Sequence, residues 1–163
     1  MASLIEQLHK KYATDVYRYL LSLTKNHHTS EEITQETFYR AYIFLHDSRI
    51  DNEKAWLFRV AHNTYIDYLR KNKRFVIKEQ DYFHQIKTLE KSIEDQYLSK
   101  EMLDDLRLSL DKLPVKQKQA ILLADFNNLS YKEAAEILEV TPNYFKILLF
   151  RARQKLRVSS RGC

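Results

Sequence analysis

Apolar residues recur along the chain at three- and four-residue intervals, and no segment shows the period-two alternation and paired turn residues of a hairpin. The spacing predicts a first helix over residues 4–23, with Leu4, Leu8, Tyr12, Val16, Tyr19, Leu20 and Leu23 on its apolar side. Asn26-His27-His28 reads as a break. Thr29 reads as the cap of the next helix, with Glu32 completing a capping box. In that helix, SEEITQETFYRAYIFL, Ile33, Phe38, Ala41, Tyr42 and Leu45 are core candidates, and Glu31, Glu32, Gln35, Glu36 and Arg40 face outward. The polar stretch 46–54, HDSRIDNEK, reads as a loop. A third helix is expected over residues 55–74. It packs Trp56, Leu57, Val60, Ala61, Tyr65, Tyr68 and Leu69 inward, and carries Asn63, Asp67 and Lys71 as successive i+4 neighbours on its outer face, with Arg59 and Arg70 beside them.

The pattern then weakens. Residues 78–105 hold eight acids against four bases and few apolar residues, which reads as an acidic, partly helical linker between two basic domains. LRLSLDKLP and VKQKQAILLADF predict two further helices, with Pro114 starting the second and Leu113, Ala120, Ile121, Leu123 and Ala124 packing onto the C-terminal helices. The stretch from 129 to 156, LSYKEAAEILEVTPNYFKILLFRARQKL, predicts two short helices joined by a tight break. Ser130 and Glu133 form a capping box, and Tyr131, Ala134, Ala135 and Leu138 make one apolar face. Thr141 caps the second helix and Pro142 suits its first turn, where the missing N–H is not needed. Phe145, Leu148, Leu149, Ala152 and Leu156 form a core-facing stripe, and Asn143, Tyr144, Lys146, Ile147, Phe150, Arg151 and Gln154 lie opposite.

Composition agrees with an all-α protein: 163 residues contain one Gly and two Pro, with 44% hydrophobic and 30% charged residues. The net charge of +5 favours an anionic partner. The N-terminus is amphipathic and carries acids, and no apolar run has the length of a membrane span, so a soluble intracellular protein is expected. The single cysteine, Cys163, allows no internal disulfide, and no metal or catalytic role is expected for it.

Charge placement sharpens the chemistry. Residues 141–161 carry six basic side chains (Lys146, Arg151, Arg153, Lys155, Arg157, Arg161) and no acid. A helix-turn-helix whose second helix lies in a major groove would place those cations on phosphates and its N-terminal residues near base edges. A helical hairpin with a solvated basic face is the alternative. In residues 55–78 six basic residues accompany one acid. Asn and Arg beside aromatics suit single-stranded DNA, where bases stack on rings; core tyrosines with a basic end that completes the helix dipole would look the same. For the acidic face of the second helix, periodicity alone favours an ordinary solvated surface over a docking surface.

Two blocks together carry a family resemblance. SEEITQETFYRAY followed by AWLFRVAHNTYIDYLRK resembles region two of bacterial sigma factors, and LPVKQKQAILLADFNNLSYKEAAEILEVTPNYFKILLFRARQKL resembles their region four. The short length and lack of an intervening domain are similar to the extracytoplasmic-function (ECF) group of the sigma-70 family. YKEAAEIL, NYFK and LFRARQ are similar to its sigma-M type in Gram-positive bacteria. The resemblance implies two small helical domains: region two over residues 1–77 and region four over 106–163, joined by the linker 78–105. It implies a non-catalytic subunit that binds core RNA polymerase through the beta-prime coiled coil and the beta flap, and promoter DNA. Neither cofactor, metal nor small-molecule substrate is expected. Gln35, Glu36 and Phe38 match the helix that docks on the coiled coil, which reverses the preference for a solvated face. The loop 46–54 matches the segment that captures a flipped base of the minus-ten element. Asn63 matches a contact to that base, Asp67, Arg70 and Lys71 match the helix facing the element, and Trp56 matches a family tryptophan that packs beside the melted strand. Asn143, Tyr144, Lys146, Phe150 and Arg151 match positions that meet the minus-thirty-five element. A departure is Ile147-Leu148, where the family often has small or charged residues; Ile147 excludes a polar contact but suits a thymine methyl.

The resemblance further implies control by an anti-sigma factor, often membrane-bound, a role in a cell-envelope or other stress response, and action in the cytoplasm at the nucleoid. Two other readings weigh less. A stand-alone helix-turn-helix regulator leaves the region-two block unexplained. An all-helical enzyme would draw on His9, His27, His28, His46, His62 or His84, yet no H-E-x-x-H or Gly-rich phosphate loop occurs. Without an ATP motif, strand separation would be driven by binding energy.

Overall fold

The computed structural model describes residues 3–45, 50–72 and 100–161. The chain divides into two compact units, Met1–Lys78 and Glu79–Cys163. The expected linker up to residue 99, loop residues 46–49 and Cys163 lie outside the described residues. Every regular element among the described residues is helical.

In the first unit, α1 (Leu4–Thr24), α2 (His27–Phe44) and α3 (Glu53–Lys71) pack against one another. α1 ends with Lys25 in the left-handed region at φ 56°. The break is shorter than its polar residues suggest: Asn26, not Thr29, caps α2, its Oδ1 accepting the Thr29 N–H at 2.9 Å. Asn is as good a cap as Thr, and it stands where the chain emerges from the left-handed turn. Thr29 is instead buried, with its hydroxyl 3.5 Å from the Tyr68 hydroxyl, and Glu32 meets His28 at 3.0 Å. α3 likewise starts two residues early, because Asn52 Oδ1 accepts the Ala55 N–H at 3.2 Å.

The core between these helices holds Leu8, Val16, Tyr19, Leu20 and Leu21 of α1, Ile33, Phe38 and Ala41 of α2, and Leu57, Phe58, Ala61 and Tyr65 of α3. Tyr42 and Leu69, expected inside, are exposed. The buried stripe of α2 runs through hydroxyl residues instead: Ser30, Thr34 and Thr37. Each hydroxyl is satisfied by the carbonyl four residues back, at 2.8, 2.7 and 2.7 Å. Small side chains that bond their own helix can be buried where neighbouring helices come close, and a polarity pattern does not show this.

In the second unit, α4 spans Lys100–Asp111, so helix begins inside the stretch expected to be linker. α5 (Val115–Ile121) runs into a π-helical turn, Leu122–Phe126, followed by α6 (Tyr131–Leu138) and α7 (Pro142–Arg161). Leu113, Ala120, Ile121, Leu123 and Ala124 are buried, as their spacing predicts. Buried Lys118 ties α5 to α4 through Asp111 at 2.9 Å. The wider π turn is closed by the Asn127 side chain donating to the Leu122 carbonyl at 2.7 Å.

Tyr19 is wholly buried and its hydroxyl lies 3.2 Å from His62 Nδ1. Burial, and then the nearby Tyr65, push the Tyr19 phenol far above its usual range; burial also pushes Tyr17 up to about 12. A raised phenol pKa leaves stability intact below pH ~10 and erodes it above, as the unfolded chain ionises first. Tyr19→Phe should therefore lower stability at pH 7 by about 1 kcal/mol through the lost hydrogen bond, and make the decline above pH ~10 shallower. Urea unfolding from pH 7 to 11 checks this; parallel stability curves for the two proteins would refute it.

Candidate nucleic-acid interface

α3 separates its two sides cleanly. Leu57, Phe58, Ala61, His62 and Tyr65 are buried, and Arg59, Asn63, Arg70 and Lys71 are exposed on the opposite side. Trp56 is half-buried in the first turns of α3, with its ring centroid 5.5 Å from that of Phe44. Asp67 differs from its neighbours. Arg40 Nη1 donates to Asp67 Oδ2 at 2.8 Å, and Arg40 Nε donates to Glu36 Oε1 at 3.2 Å. Arg40 thus faces α3, not solvent as its position suggested. Its guanidinium is held above the usual range, first by the Asp67 hydrogen bond. The Asp67 carboxylate is thereby turned towards α2 and its charge offset, leaving Asn63, Arg70 and Lys71 to define the exposed chemistry of the face.

On α2, Gln35 and Glu36 are exposed, whereas Phe38 is only 7% exposed and meets the His9 ring edge-on at 4.7 Å. Phe38 therefore holds α2 to α1 and offers no free face to a partner. The exposed apolar residues of α2 are Tyr39, Tyr42, Ile43 and Phe44. Tyr39 and Ile43 follow Gln35 at four-residue steps and share its side of the helix. Apolar residues at the edge of a helical stripe look like core in sequence, and only the packing of α1 and α3 shows otherwise.

In the second unit the capping box forms as expected: Glu133 N–H donates to Ser130 Oγ at 3.1 Å and Ser130 N–H to Glu133 Oε1 at 2.9 Å. Glu139 turns the chain at φ 57°, and Tyr144 N–H donates to Thr141 Oγ1 at 3.1 Å to start α7. Phe145, Leu148, Leu149 and Ala152 are buried. Asn143, Tyr144, Lys146, Ile147, Phe150 and Arg151 are all exposed. One of the basic residues is used internally. Arg153 grips the Asp125 carboxylate of the π turn with two hydrogen bonds, 2.9 and 2.5 Å, and approaches the Tyr131 hydroxyl at 3.4 Å. The Asp125 hydrogen bond leads in raising its guanidinium above the usual range. Tyr131 itself is exposed rather than core, though its ring lies 5.7 Å from buried Phe145. Among the described residues no group of three His, Cys, Asp or Glu side chains is placed to hold a metal ion, and no helix is long and apolar enough to cross a membrane.

A short-loop helix-turn-helix with a basic outer face, preceded by a separate three-helix unit, now has counterparts. The model of Sigma-70 region 2 matches residues 8–75, and that of Sigma-70, region 4 matches residues 103–156. The ECF RNA polymerase sigma factor SigM of Bacillus subtilis is 38% identical over 94% of this chain and 93% of its own. The chain belongs to the ECF branch of the sigma-70 family. It is a non-catalytic subunit that binds core RNA polymerase and promoter DNA and directs initiation. RNA polymerase sigma factor YlaC of B. subtilis is 30% identical over 94% of this chain and 90% of its own. The fold is shared with sigma factor RpoE of Bartonella quintana, solved with the anti-sigma factor NepR (TM-score 0.74, 23% identity, 96% of both chains). It is also shared with CnrH, solved with the cytosolic domain of CnrY (TM-score 0.68, 21% identity, 97% of this chain and 88% of that one).

The sigma factor's Arg40–Asp67 pair is open to a direct check. Arg40→Met and Asp67→Asn should each lower stability by roughly 0.2–1 kcal/mol, and the double variant should lose little more than either single. Additive losses in thermal denaturation would mean the two side chains act separately.

Proposed function

We propose that the two units divide promoter recognition between the exposed faces of α3 and α7, and that α2 carries the polymerase contact. Region two, residues 1–77, takes the minus-ten element: Asn63 bonds the edge of an unstacked base, Trp56 supports the melted strand, and Arg70 and Lys71 follow the phosphates. Asp67 acts as a positioning residue through Arg40. Region four, residues 106–163 with its leading helix α4 from residue 100, takes the minus-thirty-five duplex: Asn143 and Tyr144 near base edges, Lys146, Phe150 and Arg151 around them. Gln35 and Glu36 meet the beta-prime coiled coil, joined by Tyr39 and Ile43, and the beta flap meets region four.

The observation that carries this reading is the separation of each recognition helix into a buried, mainly apolar side and an exposed side that carries Asn, Lys and Arg. A helix in a major groove needs cations for phosphates and short polar or apolar groups for base edges, and α7 from Asn143 to Arg151 offers both. Bases trapped by α3 must leave the stack at a cost of about a few kcal/mol each, which polymerase-bound contacts offset. The chain acts in the cytoplasm, at the nucleoid. Partners named for its structural neighbours suggest an anti-sigma factor here too, holding the sigma factor inactive, at the membrane where that factor is anchored there, until a cell-envelope or other stress releases it.

Transcription from a promoter library with core polymerase, with and without the chain, tests the whole reading. Asn63→Ala should reduce promoter opening about tenfold, read by permanganate reactivity of unpaired thymines, with closed-complex binding nearly unchanged, as expected for loss of one base contact of about 1–3 kcal/mol. Lys146→Ala should weaken protection of the upstream element for all sequences and flatten the salt dependence by about one phosphate. Equal loss of opening and closed binding for Asn63→Ala would remove it from the base-trapping role, and an unchanged upstream footprint would remove Lys146.

A further inference from the structure

Ile147 stands on the exposed face of α7, where Asn143, Lys146 and Arg151 lie beside the aromatic Tyr144 and Phe150. It follows Asn143 and precedes Arg151 at four-residue steps, so the three side chains form one line along the helix. Its neighbour Leu148 is 4% exposed and belongs to the core, whereas Ile147 is 47% exposed. No acidic residue occurs between residues 141 and 161, so the surface around Ile147 complements a polyanion. An Ile in that line gains nothing from phosphate or water. Among the groups that the four base pairs present in the major groove, one is a methyl: the C5 substituent of thymine.

We propose that Ile147 is a specificity-determining residue that packs on the C5-methyl of one thymine in the upstream promoter element, between the polar contacts of Asn143 and Arg151. The inference rests on the α7 reading above and deepens it. Ile147 lies in the second turn of α7, within the N-terminal half that meets base edges in helix-turn-helix proteins. The contact selects T·A at that position without a hydrogen bond, and it is independent of salt, unlike the cation contacts on either side.

The test uses holoenzyme assembled from core polymerase and the full chain on a promoter selected from a library randomised in the upstream element. Each thymine of that element is replaced in turn by deoxyuridine, which removes the methyl and nothing else. For the wild-type protein, one replacement should weaken closed-complex affinity about three- to fivefold, the loss expected for one buried methyl group. For Ile147→Ala the same replacement should have almost no effect, and Ile147→Val should keep part of the sensitivity. Core binding and minus-ten opening on an optimal downstream element serve as controls that the exposed substitution leaves the fold intact. The proposal is overturned if no thymine is methyl-sensitive, or if the deoxyuridine and Ile147→Ala losses multiply as independent effects. A loss of upstream binding on Lys146→Ala with no methyl-sensitive position would sink the Ile147 contact and leave the α7 reading standing. Failure of the library to yield any element that needs the chain would sink both.

Discussion

What α7 can present to DNA depends on the burial of a single stripe: Phe145, Leu148, Leu149 and Ala152, packed against α4, α5 and α6. That stripe fixes the rotation of the helix about its axis, and with it which residues point away. The helix-turn-helix break fixes its start. Glu139 accepts a left-handed conformation that costs a non-glycine residue about 1–2 kcal/mol, and the Thr141 cap and Pro142 then leave few other ways to begin. The Arg153–Asp125 grip adds a polar restraint between α7 and the π turn. An exposed, partly solvated pair of this kind contributes little to stability. Its geometric effect is larger, since two hydrogen bonds to one carboxylate hold a guanidinium in one orientation.

The first unit solves a related problem differently. α2 buries Ser30, Thr34 and Thr37 beside Ile33, Phe38 and Ala41, and its hydroxyls bond back to their own helix. This leaves the larger apolar residues Tyr39, Tyr42, Ile43 and Phe44 outside, on a helix that also exposes Gln35 and Glu36. Arg40 couples that helix to α3: one guanidinium joins Glu36 on the same helix and Asp67 on the next. A group that displaced Glu36 would alter the environment of Asp67, because one guanidinium links the exposed side of α2 to α3.

The legible part of the fold is the part that a local pattern can encode. The all-helical class, the capping box at Ser130, the break at Thr141-Pro142 and the sides of α7 were readable, because each depends on residues close in sequence. α2 starts three residues and α3 two residues before the positions their patterns predict, since Asn26 and Asn52 compete with other good caps nearby. Phe38 was read correctly as core from its spacing, and the docking role suggested by resemblance does not suit its buried ring. The pattern places Arg40 on the outward face of its helix and Arg153 among the cations of residues 141–161. Their partners, Asp67 and Asp125, are 27 and 28 residues away, and separations of that size leave no periodic trace. The inward turn of the hydroxyls and outward turn of Tyr42 and Leu69 are tertiary outcomes in the same sense.

These internal pairs change the electrostatics that promoter binding can draw on. Net charge and the basic count from 141 to 161 suggest six phosphate contacts, but Arg153 is committed to Asp125, and among the described residues the exposed basic side chains along α7 are Lys146, Arg151, Lys155 and Arg157. At a slope of about 0.9 per phosphate, four contacts lose roughly a hundredfold in affinity between ~50 and ~200 mM salt. A surface so salt-sensitive and so small holds duplex DNA weakly by itself. On the proposed reading the α3 face is weaker still as a duplex binder, because Asn63 engages only a base that has left the stack. Neither face can therefore supply both affinity and strand opening. The two become effective when a third body holds them on one DNA molecule, so that the second contact is intramolecular and its effective concentration, rather than its intrinsic affinity, sets occupancy. In a sigma factor that third body is the polymerase core, and the weakness of each face in isolation is what keeps promoter recognition dependent on it.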